Sequence, residues 1–296
     1  MTNKNNNDIS FADRLNAFWQ YCIPHHLLSR LMGKLTHSRN KLVKLTYMKF
    51  IIKFFGVNMD EAQEQDLNQY EHFNAFFTRA LKPEARPIVD NPAKLASPVD
   101  GRISQMGPIN KDRLFQAKGH EYSLGALLGA EDKWAKQFVE GEFATIYLSP
   151  KDYHRIHMPC DARLKEMRHI PGKLFSVNPA TTRAIPGLFA RNERLVCLFN
   201  TPVGPMAMIL VGALFVASIE TTWQGVITPP THADMQVTQY AEGMLEVALK
   251  KGEEMGRFNM GSTVILLFRK DKMQWLEGLE AGSAVNMGQE IGTIPA

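Results

Sequence analysis

The periodicity of apolar residues changes once along the chain and divides it into two kinds of structure. Before residue 83, apolar residues recur every three or four positions, as on one face of a helix. After residue 95 they come in short runs separated by Gly and Pro, which is typical of strands. The segment 86–98, RPIVDNPAKLASP, contains three prolines and joins the two parts. We therefore predict an α+β fold: N-terminal amphipathic helices in residues 1–85, followed by a β-rich, sandwich- or barrel-like body in residues 86–296.

The predicted helical region carries an uneven charge. The whole chain has a formal net charge of only +4, yet there is no acidic residue between Asp13 and Asp60. Eight basic residues lie in that interval: Arg14, Arg30, Lys34, Arg39, Lys41, Lys44, Lys49 and Lys53. No RNA-binding or zinc-finger pattern accompanies them, so nucleic acid is not an expected partner.

The third helical segment, from Ser38 to Phe55, is amphipathic. The residues that share its apolar face are Val43, Tyr47, Phe50, Ile51 and Phe54, and basic residues occupy the other face. Such a helix either packs on the protein core with its lysines in water or lies on an anionic membrane surface. The missing acidic partners favour the membrane, with the apolar side chains in the headgroup boundary.

Composition restricts the cellular setting. Cys22, Cys160 and Cys197 are odd in number and form no CxxC pair, so neither a disulfide framework nor a zinc site is expected and a reducing cytoplasm is the default. The polar first residues do not resemble a signal peptide. The longest apolar run, 206–219, is shorter than the roughly 20 residues that span a bilayer and is interpreted as a buried strand. We expect a peripheral protein on the cytoplasmic face of the cell membrane.

An internal repeat relates two segments of the body. LKKGEEMGRF at 249–258 and VNMGQEIGTI at 285–294 share two glycines four residues apart, with an offset of 36 residues. Each pair of glycines would permit a tight turn into a short strand. Biotinyl and lipoyl carrier domains show a similar pattern, but the lysine that such a domain displays on a hairpin is not found here.

The stretch RFNMGSTVILLF, residues 257–268, is the first of the segments with a chemical implication. Gly261 and Ser262 stand at the start of a run rich in β-branched residues, which places a serine on a flexible peptide unit where a strand begins. Such a serine can attack its own chain. By itself, however, Gly-Ser-Thr indicates only a turn and a strand start.

Three further blocks change that interpretation. They are SPVDGRIS at 97–104, YLSPKDYHRIHMP at 147–159 and KGEEMGRFN at 251–259. With the Gly-Ser-Thr block, and in this order, they resemble the phosphatidylserine decarboxylase family of the prokaryotic, self-processing type. The resemblance extends from about residue 10 to the last predicted strand.

The resemblance implies a triad of Asp100, His157 and Ser262, in which the histidine is the base that activates the serine. Ser262 would attack the carbonyl of Gly261 and break the chain into a β chain, 1–261, and an α chain, 262–296. The former Ser262 would become a covalent pyruvoyl group, with no metal and no pyridoxal phosphate. As a carboxy-lyase, the protein would hold phosphatidylserine as a Schiff base on that group and release CO2 and phosphatidylethanolamine.

Other expectations from the resemblance are finer. His154 is the candidate acid that protonates the product carbon, and Phe175, Ser176, Val177 and Asn178 are expected to line or shape the substrate pocket. Met260 departs from the family pattern, which most often has leucine there; the two side chains have similar volume, so little effect on cleavage is expected. The expected partners are phosphatidylserine, an anionic membrane and the two cleaved chains. A homodimer is left open.

Two functions of other classes remain open at this point. One is a lipid-directed serine hydrolase that uses Asp100, His157 and Ser262, although the G-x-S-x-G elbow of such enzymes is absent around Ser262. The other is a non-catalytic β module with a membrane-binding N-terminal region. A hydrolase would keep one uncut chain, and a binding module would tolerate the loss of Ser262.

Overall fold

The computed structural model describes residues 11–214, 218–228, 233–240, 245–259 and 263–294. Its helices are α1 Phe11–Cys22, α2 His25–Thr36, α3 Lys41–Phe55, α4 Phe73–Phe77, α5 Leu124–Leu128, α6 Lys133–Gln137, α7 Pro179–Ala184 and α8 Leu188–Arg191, with a 3-10 turn at Pro83–Ala85. The three longest described helices, α1 to α3, end before residue 56, and the described strands all follow residue 93. The predicted α+β arrangement, with helices first and a β-rich body after them, is confirmed.

The strands are mostly short. They are β1 Lys94–Ala96, β2 Gly101–Pro108, β3 Arg113–Ala117, β4 His120–Ser123, β5 Glu142–Tyr147, β6 Arg155–His157, β7 Ala162–Ile170, β8 Arg194–Thr201, β9 Gly204–Val211, β10 Ile219–Thr221, β11 Gly225–Val226, β12 Gln236–Gln239, β13 Ala248–Leu249, β14 Glu254–Phe258, β15 Thr263–Phe268, β16 Gln274–Trp275, β17 Ala284–Val285 and β18 Glu290–Thr293. Of the apolar run 206–219, residues 206–211 lie in β9 and are all buried, so the interpretation as a buried strand is confirmed for that part. Residues 212–214 are not in a strand, and 215–217 lie outside the described residues.

One large antiparallel sheet forms the centre of the body. Within the described residues its order is β12-β7-β8-β9-β15-β5-β2-β17, and β13 also pairs with β7. Strand β15 lies between β9 and β5, and every residue of it is buried. Its first residue, Thr263, is opposite Tyr147 on one side and Val211 on the other. The central position is what a strand of consecutive apolar residues requires, because both of its faces are covered.

The two faces of the large sheet meet different partners. Alternate β15 side chains, Val264, Leu266 and Phe268, join a core that includes residues of the smaller sheets β11-β10-β14-β6 and β1-β18-β16. The intervening Ile265 and Leu267 join a second core with residues of the short helices α5 and α8. The period-2 alternation of a strand thus distributes one sequence run between two cores.

The N-terminal helices are attached to this body by polar contacts. Arg183 of α7 donates two hydrogen bonds to the carboxylate of Asp13 in α1, at 2.9 and 3.0 Å. Gln20 Oε1 accepts a hydrogen bond from the backbone N–H of Ser176 at 3.0 Å. None of the helices in the described ranges has the length and apolar character that crossing a bilayer requires.

Helix α3 divides its apolar face between protein and solvent. Ile51 is only 5% exposed and packs with Met48 and the α4 phenylalanines in a third core. Phe50 and Phe54 are 53% and 70% exposed and stack on each other. The expectation that Ile51 lies in a membrane surface is therefore wrong, because its side chain fills the space against α4. Only part of the predicted apolar face is available to a lipid.

The predicted repeat is confirmed as a structural unit. Gly252 and Gly288 adopt φ values of 82° and 85°, in the left-handed region that favours glycine, just before β14 and β18. The second glycine of each copy lies against a neighbouring backbone: a Cβ at Gly256 would be 2.2 Å from the Glu220 carbonyl oxygen, and one at Gly292 would be 2.6 Å from that of Gln274. The first glycine makes the turn, and the second permits close strand approach.

A buried ion network braces the edge of the large sheet. The Arg168 guanidinium on β7 pairs with Glu166 and Asp132 and donates to the Leu128 carbonyl at 3.0 Å. The Arg168 and Glu166 side chains are 3% and 5% exposed. Trp134 and Gln239 donate to the other oxygen of Glu166, at 3.2 and 2.6 Å. Arg168 is the cation that pairs with both carboxylates, so its loss would leave the buried Glu166 carboxylate without a positive partner.

We expect Arg168→Met to lower the free energy of unfolding by about 3 to 5 kcal/mol, because the Glu166 carboxylate would stay buried without its cation. Arg163→Met is the matched control on the same strand: Arg163 pairs with Glu246 at the exposed surface, where a pair contributes about 0 to 1 kcal/mol. Urea unfolding followed by circular dichroism measures both. Equal, small losses would contradict the role given to the buried network.

Candidate active site

The short connection from β14 to β15 is the first part of the candidate site. Met260, Gly261 and Ser262 lie outside the described residues, so the structure describes the two ends of the predicted cleavage segment and not the segment itself. At one end, the backbone N–H of Phe258 donates to the His154 carbonyl at 3.0 Å. At the other, Thr263 is paired on both sides within the large sheet. The described ends of the four-residue connection 259–262 are therefore Phe258, which contacts His154, and Thr263, which is fixed in the large sheet.

Asn259 anchors the beginning of this connection. It is 3% exposed, its backbone N–H donates to the Ser218 carbonyl at 2.9 Å, and its side-chain amide donates to the Ser218 hydroxyl. Its Oδ1 accepts from the Asn74 amide at 2.9 Å. The network ties α4, the residue before β10 and the residue after β14 into one wall.

His154 is completely buried beside this connection. Its ring lies 4.0 Å from the Phe77 ring, centroid to centroid, and its Nδ1 is 2.7 Å from the Asp152 carbonyl. A carbonyl only accepts, so Nδ1 carries the proton and Nε2 of the neutral ring is bare. Burial lowers the pKa of His154 to about 3, which the hydrogen bond to Asp152 only partly opposes. Nε2 has no hydrogen-bond partner among the described residues.

His157 lies at the other end of β6, opposite Glu254. Its Nδ1 donates to the Gly252 carbonyl at 2.8 Å, so the turn of the first repeat orients the ring. Its Nε2 accepts from the Tyr153 hydroxyl at 3.1 Å, and the two rings stack. Burial lowers the pKa of His157 and raises that of Tyr153 to about 12. His157 is thus a neutral base whose bare nitrogen is covered by a phenol.

Asp100 is held by an arginine. Arg86 Nε and Nη2 donate to the two carboxylate oxygens at 2.8 and 2.6 Å, and Nη2 also reaches Glu61 at 2.9 Å. The backbone N–H of Met287, in the turn of the second repeat, donates to Asp100 Oδ1 at 2.8 Å. The hydrogen bonds that Arg86 donates, above all those to Asp100, raise the pKa of its guanidinium, which remains charged.

The structure brings the three described members of the predicted site into one neighbourhood without joining Asp100 to His157 by a hydrogen bond. The Asp100 charge still acts on His157, whose pKa it raises against the larger effect of burial. Tyr153 lies between them: it hydrogen-bonds to His157 and lines a 180 Å³ cavity together with Asp100 and Asp152. The Gly252 carbonyl thus holds the position on His157 that a triad aspartate would occupy.

A cavity of about 930 Å³ is bordered by Asn74, Ser218 and Asn259 of the Asn259 wall. The residues that line it belong to α2, α4 and the strands around the cleavage segment: His26, Ser29, Arg30, Gly33, Lys34, His37, His72, Asn74, Ala75, Thr78, Leu174, Glu193, Gly212, Ser218, Ile219, Glu220, Val226, Thr228, Arg257 and Asn259. Its volume is near the upper end of the range for ligand sites in proteins, roughly 300 to 1,000 Å³. A molecule of substantial size can therefore reach the residue from which the cleavage segment departs.

Residues 175–178 lie at the junction of the N-terminal helices with the body. Phe175 is 1% exposed and packs its ring against those of Tyr21 and His25. Asn178 caps helix α7. The preceding residue, Leu174, lines the large cavity, whereas residues 175–178 are absent from its described lining. Their expected role around the substrate stays a prediction.

Sequence reasoning did not select Arg86, Tyr153 or the α2 residues of the cavity. Tyr153 had a usable signal, since it stands four residues before His157 in the same block. Arg86 stands in the proline-rich linker 86–98, and Arg30 and Lys34 of α2 were considered only as part of the basic N-terminal region. Among the described residues, no group of three or more His, Cys, Asp or Glu side chains is arranged to hold a metal ion.

Comparison with known proteins adds independent evidence. The family model described as phosphatidylserine decarboxylase matches residues 73–293, and a shorter one described as PSD matches residues 15–56. A phosphatidylserine decarboxylase proenzyme of Pseudomonas putida strain F1 is 53% identical over 279 residues, 94% of this chain and 97% of the relative. One of Hahella chejuensis is 53% identical over 286 residues, 97% and 96% of the two chains. One of Stutzerimonas stutzeri is 53% identical over 281 residues, 95% and 94%. This chain belongs to the phosphatidylserine decarboxylase family.

Proposed function

We propose that this protein decarboxylates phosphatidylserine to phosphatidylethanolamine through a pyruvoyl group that it makes from its own Ser262. The observation that carries the proposal is the four-residue connection 259–262, which joins a buried histidine and a large cavity to the start of a central strand. Membership of the family and the proenzyme name of its relatives support it.

The described surroundings fit a carbonyl-bearing group at this place. The Thr263 hydroxyl and His154 Nε2 are buried and have no hydrogen-bond partner among the described residues, although buried polar atoms are nearly always paired. Both flank the connection from Asn259 to Thr263, so polar atoms formed there would satisfy them. When present, the pyruvoyl group supplies a ketone that takes up the substrate amine and accepts the electrons left when CO2 departs.

His154 is suited to carry a proton between two positions of the substrate. With a pKa of about 3 it is neutral at physiological pH, and its bare Nε2 can only accept a proton at first. The substrate ammonium must lose a proton before its nitrogen can attack a carbonyl carbon, and Nε2 is a base that can receive it. The same proton can be returned to the substrate carbon after CO2 has left. The product amine then takes up a proton from water, so each CO2 released consumes one solvent proton. His154 thus acts as the acid only after it has acted as a base.

His157 is assigned to chain cleavage. Its Nε2 is the bare nitrogen of an oriented neutral ring, as removal of the Ser262 proton requires. The Tyr153 hydroxyl that covers it must give way to the serine, or pass the proton through itself. Asp100, locked by Arg86, then stabilises the imidazolium through its charge and does not need direct contact.

The outer surface of the N-terminal helices supports a peripheral position on the cytoplasmic face of the cell membrane. Leu27, Leu31 and Leu35 form a stripe on α2 and are 52%, 54% and 43% exposed. The other large apolar side chains exposed on α1 and α3 include Phe18, Trp19, Phe50 and Phe54. Leucines and aromatic rings beside many lysines are the composition of an interfacial helix.

The first expected outcome concerns the chain itself. Purified protein should consist of two fragments, 1–261 and 262–296, with the smaller one blocked to N-terminal sequencing because the former Ser262 has lost its amine. Ser262→Ala should keep one full-length chain and release no CO2. Intact-mass measurement decides between the two functions. A single uncut mass in wild-type protein that hydrolyses lipid esters would instead indicate a lipid-directed serine hydrolase.

The two histidines should affect different steps: His157 chain cleavage and His154 decarboxylation. His154→Ala should leave cleavage complete and lower the decarboxylation rate by roughly 10²- to 10⁴-fold, the usual contribution of a proton-transfer group. His157→Ala should block cleavage and so leave no cofactor. Mass spectrometry follows cleavage, and CO2 released from carboxyl-labelled phosphatidylserine follows turnover. If His154→Ala stops cleavage as completely as His157→Ala, the assigned roles are wrong.

The leucine stripe should control membrane attachment. Substitution is the suitable test, because removal of residues 1–56 would also take Met48 and Ile51 from the α3–α4 core. Leu27→Ser, Leu31→Ser and Leu35→Ser together should reduce sedimentation with anionic vesicles, while cleavage stays complete. Raising the salt concentration should weaken wild-type binding without abolishing it, because the charge contribution is screened and the apolar contribution is not. Undiminished sedimentation of the triple variant would place the membrane contact elsewhere.

A further inference from the structure

The apolar and polar faces of helix α2 are oriented in the opposite way to those of an ordinary surface helix. A surface helix normally turns its apolar stripe to the core and its charges to water. On α2 the buried residues are polar, His25, Ser29 and Thr36, while a leucine stripe is exposed. A polar inner face has a physical reason only if something polar lies against it.

What lies against the inner face is the large cavity. Ser29, Arg30, Gly33, Lys34 and His37 all line it and recur at helical spacing. Gly33 contributes no side chain, which leaves space between Arg30 and His37. The lining also contains Asn259, which directly precedes the predicted cleavage segment. Arg30 and Lys34 are exposed and lie on the flank of α2 between the buried Ser29 and the leucine stripe, and they line the same cavity as Asn259.

The positive charge of Arg30 and Lys34 is not neutralised within the described residues. No ion pair joins either side chain to a carboxylate there, and Arg30 Nε donates only to the His26 carbonyl of its own helix, at 3.3 Å. The other charged groups of the cavity are engaged. Arg257 pairs with Glu254 at 2.8 Å and faces Glu220 at 4.0 Å, and Glu193 contacts His169 at 3.2 Å.

A buried hydroxyl is the second, independent sign of a ligand. Ser29 is 6% exposed and lines the cavity, and its Oγ has no hydrogen-bond partner among the described residues. A buried hydroxyl that lacks a partner loses its hydrogen bonds with water without replacement, so such groups are normally paired. It stands next to Arg30 and one turn before Gly33, where it can donate to the same acceptor as the two cations.

We propose that Ser29, Arg30 and Lys34 form the subsite for the phosphodiester of the lipid headgroup. The inference rests on the proposed function and deepens it. A phosphodiester carries one negative charge and accepting oxygens, which match two cations and a hydroxyl donor. With the phosphodiester on α2, the serine amine and carboxylate extend toward Asn259 and the cleavage segment. The acyl chains leave past the leucine stripe of the same helix.

The test uses dihexanoyl phosphatidylserine below its micelle concentration, so that no lipid surface contributes. The variant is Arg30→Met with Lys34→Met, and the matched control is Lys49→Met with Lys53→Met, which removes the same charge from exposed α3 positions outside the cavity lining. The subsite variant should raise KM by roughly 10- to 100-fold, as expected for lost charged hydrogen bonds, with kcat within about threefold. The control should change neither constant.

A subsite variant with unchanged KM, or a control with the same rise in KM, would overturn the proposal; the second result would mean that only the general field of the N-terminal region attracts the lipid. Ser29→Ala should give a smaller rise in KM than the double variant. Circular dichroism and complete chain cleavage confirm that the variants are folded.

Competition distinguishes the source of the phosphate. Glycerophosphoserine should inhibit the wild type competitively and lose potency in the subsite variant, whereas inorganic phosphate should inhibit much more weakly. Equal inhibition by both would assign the site to free phosphate and overturn the headgroup assignment. If the wild type releases no CO2 at all, the proposed function fails separately, and calorimetric binding of dihexanoyl phosphatidylserine to wild type and variants still decides the subsite.

Discussion

The pairing of β15 on both sides is the constraint on which the rest of the molecule depends. All six of its residues are buried, and each is in register with β5 and with β9. Thr263, the first described residue after the predicted cleavage segment, is therefore held between two strands of the large sheet. The proposed cut would fall directly before this doubly paired strand.

The same pairing means that a cut before Thr263 does not divide the body. The segment after the cut supplies the central strand, and it also supplies β17 beside β2 and β18 beside β1. Its side chains enter both main cores. The two proposed chains thus remain one folded unit held by ladders and apolar burial.

The internal repeat arranges the candidate groups as well as the backbone. The turn of the first copy presents the Gly252 carbonyl to His157, and the turn of the second presents the Met287 N–H to Asp100. One copy offers an acceptor to a ring that must donate, and the other offers a donor to a carboxylate. Two similar turns thereby orient the His157 ring and the Asp100 carboxylate.

The sequence was sufficient for features that depend on local periodicity and backbone freedom. The helical region, the β-rich body and the turns at Gly252 and Gly288 follow from apolar spacing and from the conformations open to glycine. The contact of Arg86 with Asp100 was not predictable, because it spans a proline-rich stretch that has no periodic pattern. The burial of Ile51 was also missed, since spacing alone does not say which helix or solvent an apolar face meets. For His154, the residue was predicted, but its proton position depends on the Asp152 carbonyl, which only the folded chain supplies.

The reversed orientation of the α2 faces has a consequence for how the enzyme meets its substrate. One helix carries the leucine stripe on its outside and borders the cavity on its inside. On a lipid surface, a headgroup would enter from the side, by lateral diffusion in the leaflet, without withdrawal of the acyl chains into water. Exposing the acyl chains to water would cost about 0.8 kcal/mol for each CH₂, and this route avoids that cost. The rate would then follow the mole fraction of phosphatidylserine in the leaflet and not its total concentration in the cell.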